Sequence, residues 1–116
     1  MMLVRKDERK EKEISKGNFV WNYEMDSREM GFALARINGR YPESGKAINE
    51  TCSEIYYVMS GGGKIYIEGK DFEIKEGDVF LIEKGKPYHV TGDELFVAIP
   101  TAPSWYPEQH KLIEDK

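Results

Sequence analysis

EIYYVMSGGGKIYIEGKDFEIKEGDVFLIEKG, residues 54–85, is the stretch from which the fold is read. Three short apolar runs lie between glycine-rich breaks. Residues 55–59 run into Gly61, Gly62 and Gly63; residues 64–68 are rich in β-branched and aromatic side chains and run into Gly69. Phe72 and Ile74 lead to Gly77 and Asp78, and the apolar residues 79–82 follow. Runs of this length separated by turn residues read as strands of an antiparallel sheet. The connections are too short for crossover helices, which disfavours a parallel sheet.

Working outward, residues 31–37 (GFALARI) form the first clear strand, with Phe32, Leu34 and Arg36 on one face and Ala33, Ala35 and Ile37 on the other. Asn38-Gly39 is a strong turn pair. Residues 14–23 read as a lead-in strand, 25–30 as a turn and 40–53 as a long polar loop. Downstream, residues 87–91 and 95–99 read as two strands around a turn at Gly92-Asp93. The prolines of residues 100–107 speak against regular structure there, and residues 108–114 suit one or two helical turns. Eight or nine short strands with little helix must close a barrel or stack two sheets to bury their apolar faces.

The chain of 116 residues suffices for one domain and one core. We expect a charged N-terminal segment over residues 1–16 and a single barrel domain over 17–116. Residues 5–13 are all charged, with both signs interleaved, and read as a solvated end. The net charge of −4 speaks against nucleic acid as a partner. No apolar run approaches the roughly 20 residues of a membrane span, and the charged N-terminus lacks the apolar stretch of a signal peptide. One cysteine, Cys52, rules out an internal disulfide. The expected location is cytoplasmic.

The spacing of residues 31–99 resembles the cupin family. One cupin motif runs His-x-His, three or four residues, Glu, six residues, Gly; here Glu54 is followed by six residues and Gly61. The second runs Gly, five residues, Pro-x-Gly, two residues, His, three residues, Asn; here Gly77 and Gly85 stand at the required distance. The resemblance implies an all-β fold, the cupin double-stranded β-helix or jelly-roll barrel, and a homodimer. It also implies an inward-facing carboxylate at Glu54, with Tyr56 on the same face. The metal-binding histidines of the motif are replaced. Counting back from Glu54, their places hold Ile48 and Glu50 with three spacers, or Ala47 and Asn49 with four. Glu83 replaces the proline, Tyr88 takes the third histidine's place and Gly92 the asparagine's.

His89 sits one residue beyond the motif's histidine position. Adjacent strand residues point to opposite faces. The motif register turns Tyr88 inward, and a one-residue slip would turn His89 inward instead. We take His89 and Glu54 as the catalytic candidates, one to pass a proton and one to orient or assist. Arg36, Glu50, Tyr56 and Tyr88 are the ligand-binding candidates; a guanidinium facing the interior would clamp a carboxylate, phosphate or hydroxyl, or pair Glu54. A mixed set of Glu50, Cys52, Glu54 and His89 suits zinc or iron in principle. Its spacing is not that of a ligand set, so no metal ligands are assigned, and a divalent transition metal stays the alternative cofactor. Cys52 has no placed base to make it a nucleophile.

The expected function is therefore binding of a small polar molecule, a sugar or sugar derivative, with metal-independent isomerisation or epimerisation as its chemistry. A metal-dependent enzyme of dioxygenase type and a non-catalytic ligand-binding or interaction module are the alternatives. Fold alone does not choose among them. The outward residues Ile55, Tyr57 and Met59 are too apolar to leave wet, and would pack on a second sheet or on a partner chain.

Overall fold

The computed structural model describes residues 1–114. Nine strands follow in order: β1 (Lys10–Ser15), β2 (Asn18–Tyr23), β3 (Gly31–Tyr41), β4 (Lys46–Asn49), β5 (Ser53–Ile67), β6 (Lys70–Lys75), β7 (Val79–Ile82), β8 (Tyr88–Ala102) and β9 (His110–Ile113). The only helical pieces among the described residues are 3-10 turns at Lys6–Glu8 and Pro107–Gln109. All the described pairings are antiparallel, as the short connections require. None of the described helices is long and apolar enough to cross a membrane.

Two long strands carry the fold. β5 and β8 run antiparallel from Ser53 opposite Ala102 to Ile67 opposite Tyr88. The far edge of β5 carries β7 and β6 in succession, and the far edge of β8 carries β3 and, at Ala47, β4. β2 and β1 extend the sheet beyond β3. Glu54 and Tyr88 thus start at opposite ends of one ladder, and the curl of the sheet brings their side chains together across the interior. Alternation along β5 puts Glu54, Tyr56 and Val58 inside and Ile55, Tyr57 and Met59 outside. The apolar core includes Ile37, Val58, Ile65, Val90, Leu95 and Val97, all close to fully buried. Each such side chain contributes about 1.5–3 kcal/mol of transfer free energy.

Several local expectations differ from what forms. The glycines at 61–63 and 92 do not end strands; they bend two strands that continue through them. Gly61 has φ +73°, and a Cβ there would overlap the Glu94 carbonyl oxygen. Gly63 lies opposite Gly92; a Cβ on Gly63 would overlap the Thr91 carbonyl oxygen of β8, and one on Gly92 the Ile37 carbonyl oxygen of β3. β8 continues through Pro100, whose partner position is Phe32. Residues 46–49, expected within a loop, form β4 and pair with β9, where helical turns were expected. The charged start does not fray beyond Lys10: β1 pairs with β2. Trp21 Nε1 donates to Glu11 Oε1 at 2.8 Å, and the Arg9 guanidinium lies 5.1 Å from the Trp21 ring centre. Aromatic cover of this kind explains how a run of charges holds strand form.

The outer faces of β5 and β7 remain exposed. Ile55, Tyr57 and Met59, with Val79 and Leu81 alongside, are not covered by any described element of the chain.

Candidate active site

A buried polar cluster is centred on Asn49, the last residue of β4. Its Oδ1 accepts from His110 Nδ1 at 2.8 Å, Gln109 Nε2 at 2.9 Å and Trp105 Nε1 at 3.2 Å. Its Nδ2 donates to Glu54 Oε1 at 2.9 Å. Three donors converging on one oxygen fix the amide orientation and place the imidazole proton on Nδ1. His110 Nε2 then accepts from the Tyr41 hydroxyl at 2.8 Å, and the two rings lie nearly parallel. Gln109 is anchored in turn, its Oε1 accepting from the backbone N–H groups of Thr51 and Cys52.

The strand pairing builds this arrangement. β4 lies against β9, which sets His110 directly opposite Asn49. β4 also meets the start of β8, where Ala47 pairs with Tyr88. The Tyr88 hydroxyl donates to Glu54 Oε1 at 3.4 Å, and Tyr56 lies beside both. Thr101, paired with Glu54 across β5 and β8, holds a buried Oγ1 that finds no hydrogen-bond partner among the described residues. A buried polar atom left this way carries a cost that a bound molecule or water would remove.

Burial dominates the electrostatics. It pushes the Glu54 carboxyl from 4.5 up to about 7, against the opposing effect of the bonds from Asn49 and Tyr88. Burial and the neighbouring Glu54 raise Tyr41 to about 12 and keep Tyr56 and Tyr88 well above the usual phenol range. Burial, then the charge of Lys12, lowers His110. Near neutral pH the site therefore contains neutral phenols, a neutral imidazole and one carboxyl poised between acid and base. A group whose pKa matches the working pH can both take and return a proton.

Glu54, Tyr56 and Tyr88 are brought together; the other sequence candidates stand elsewhere. His89 lies on the opposite face of β8 from Tyr88, its ring stacked on Tyr66 at 4.3 Å. Alternation on a regular strand places it there, so the one-residue slip does not occur. Arg36 is on the exterior, 5.8 Å from the Phe96 ring centre and 3.9 Å from Glu94, and does not pair Glu54. Glu50 is exposed in the turn after β4. Cys52 is buried with its thiol pushed up to about 12, chiefly by burial, which leaves no thiolate for nucleophilic attack. Asn49, Trp105, Gln109 and His110 were not among the sequence candidates. Asn49 had a signal, since it occupies a motif histidine's place when four spacers are counted. His110 had none, because only the pairing of β4 with β9 brings it in.

The residues at the four motif positions do not fit a metal. With four spacers these are Ala47, Asn49, Glu54 and Tyr88. Ala47 has no donor atom, Asn49 Oδ1 already accepts three hydrogen bonds, and the Tyr88 phenol stays protonated. Among the described residues no group of three or more His, Cys, Asp or Glu side chains is placed to hold an ion. The mixed set of Glu50, Cys52, Glu54 and His89, weighed as the alternative, is not assembled among the described residues.

Solved structures similar to this one share its fold. Pac13 from Streptomyces, described as a nucleoside dehydratase and solved with uridine, superposes with a TM-score of 0.86 at 15% identity, covering 98% of this chain and 91% of its own. KdgF from Halomonas gives 0.71 at 14% identity over 88% of this chain and 94% of its own. The salicylate 1,2-dioxygenase of Pseudoaminobacter salicylatoxidans gives 0.65 at 14% identity, covering 78% of this chain and 28% of that one. At such identities the likeness establishes fold alone. No curated protein sequence matches the chain. The cupin domain profile matches residues 37–99, more than half of the sequence, and the chain belongs to the cupin family.

Proposed function

We propose that this cupin binds a small hydroxyl-rich molecule, a sugar or nucleoside derivative, over Glu54 and catalyses metal-independent proton transfer on it. The observation that carries this reading is the buried Glu54 carboxyl, raised to about 7 and held by Asn49 and Tyr88. The unpartnered Thr101 hydroxyl supplies a further group for a ligand to satisfy. In an isomerisation, the Glu54 carboxylate takes the proton from a carbon beside a carbonyl. The Tyr88 O–H hydrogen-bonds to the oxygen that gains negative charge, and that oxygen takes the proton of the adjacent substrate hydroxyl. Protonated Glu54 returns the carbon-bound proton to the former carbonyl carbon as the second oxygen becomes the new carbonyl. The Tyr41–His110 pair keeps Asn49, and through it Glu54, in position. His89 has no part in this scheme. Pac13 and KdgF agree with the reading in fold only.

A second reading, binding without catalysis, is favoured by one observation: Tyr56 and Tyr88 are 3% and 1% exposed and fill much of the interior. One experiment separates the two. Ketose, aldose and nucleoside panels are incubated with the protein in D2O with EDTA present and followed by proton NMR. Deuterium entering a carbon position, lost in Glu54→Gln, supports proton-transfer catalysis. A ligand-induced rise in melting temperature with no exchange on any bound compound would support the binding module and overturn the catalytic reading.

A further inference from the structure

A cleft of about 390 Å³ takes no part in the scheme above. One wall is the turn before β3, with Ser27 and Arg28. The other is the segment that follows β8, with Pro103, Ser104, Trp105 and Tyr106. Its volume lies toward the lower end of the range for small-molecule sites. The walls are tied to each other and to the barrel. The Ser104 N–H donates to the Arg28 carbonyl oxygen at 3.1 Å, joining the two. Trp105 Nε1 donates to Asn49 Oδ1 at 3.2 Å, and the Thr51 hydroxyl donates to the Tyr106 hydroxyl oxygen at 3.2 Å. The cleft is therefore preformed, which lowers the ordering cost of binding. Arg28 is the one charged residue of the lining, and it makes no ion pair among the described residues. Beside it, Tyr106 is exposed and Trp105 half-buried, which leaves aromatic surface open to a ligand.

We infer that this cleft binds a small organic anion with a flat ring, its carboxylate or phosphate against Arg28 and its ring against Trp105 and Tyr106. The inference goes beyond the reading of the Glu54 cluster and does not depend on it. A guanidinium presents a planar fork of donors that matches either anion. Indole and phenol rings supply faces on which a flat ring stacks. With a single positive charge and no carboxylate in its lining, the cleft disfavours cationic ligands.

The test uses matched probes: benzyl alcohol beside benzoate, uridine beside uridine monophosphate, and inorganic phosphate alone. Each is titrated into nitrogen-labelled protein and followed by NMR. Trp21 and Trp105 are the two tryptophans, so two indole N–H signals report, and Trp21→Phe assigns them. Trp21 bonds to Glu11 on the N-terminal strands and serves as the internal control. Wild type should bind at least one anion roughly three- to tenfold more tightly than its neutral counterpart, the range for a partly exposed charge contact. The Trp105 signal should move with binding and the Trp21 signal should not. Inorganic phosphate, which lacks a ring, should bind more weakly than uridine monophosphate. The benzoate and nucleotide arms distinguish carboxylate from phosphate. Arg28→Gln should abolish the preference for the anion, and Arg36→Gln, which removes an exterior guanidinium elsewhere, should keep it. Tyr106→Ala should weaken both members of a pair, and Glu54→Gln should bind as wild type does. Equal affinity for neutral and anionic partners in wild type overturns the inference. So does an anionic preference that survives in Arg28→Gln, or one that is lost in Glu54→Gln alone, which would put the anion in the barrel. Binding of none of the probes overturns it as well. A failure here leaves the Glu54 reading to its own exchange experiment in D2O.

Discussion

Replacing Glu54 by Gln should flatten part of the protein's pH–stability profile. The folded-state pKa of Glu54, about 7, lies above the ordinary 4.5 because burial penalises the charged form. Between those values the folded protein holds a proton that the unfolded chain has released. The group therefore makes no net contribution below about pH 4.5, destabilises progressively as the pH rises through the window, and exerts its full penalty above about pH 7. The gap corresponds to on the order of 3 kcal/mol. Gln matches the protonated acid in shape and still accepts from Asn49 and Tyr88 at Oε1, so the variant should stay within about 1 kcal/mol of wild type at pH 4.5. At pH 8 it should be the more stable protein, by roughly 10 °C in melting temperature for a domain of this size. His110 titrates in an overlapping range with the opposite sign, because its pKa is lowered. Taking the difference between variant and wild type removes much of that contribution. The assay is thermal and urea unfolding of both proteins at several pH values from 4.5 to 8. A difference that does not change with pH, or a variant less stable than wild type at pH 8, would refute the reasoning.

Other perturbations probe the remaining structural claims. Asn49→Ala strands the donors of Gln109, His110 and Trp105 at once; it should cost roughly 2–4 kcal/mol in urea unfolding and raise the Glu54 pKa further, as seen by carboxyl NMR. Gly61→Ala forces a side chain into positive φ and against the Glu94 carbonyl, so its urea midpoint should fall by the equivalent of about 2 kcal/mol or more. His89→Ala removes the stack on Tyr66, for a loss of roughly 0.5–1.5 kcal/mol, and should leave the titration of Glu54 unmoved. A large change there would place His89 in the site after all.

Local patterns in the sequence carried the fold well. Period-two alternation across residues 54–59 and the spacing from Glu54 to Gly61 are properties of neighbouring residues, and they turn Glu54 and Tyr56 inward as read. Glycines were harder to interpret, because a tight turn and a bend within a strand both call for a residue without a side chain. Gly61, Gly63 and Gly92 serve as bends, which fuses pairs of expected short strands into β5 and β8. The centre of the site was least legible. His110 reaches Asn49 only because β4 pairs with a strand some sixty residues further on, and no periodicity reports such a pairing. His89 drew attention through its place beside a motif position, and strand alternation alone sends it outward. Residues 10–13 looked too charged for a strand, since the support that Trp21 gives Glu11 comes across the sheet.

The account rests on Glu54 being a buried carboxyl that changes protonation near neutral pH. Carbon NMR of protein labelled at the glutamate side-chain carboxyl, with Glu54→Gln identifying the resonance, measures this directly. We expect the Glu54 carboxyl to titrate near pH 7. A Glu54 resonance titrating at or below about 4.5 would mean a solvated or paired carboxylate, and would contradict both the site's electrostatics and the proton-transfer chemistry built on them.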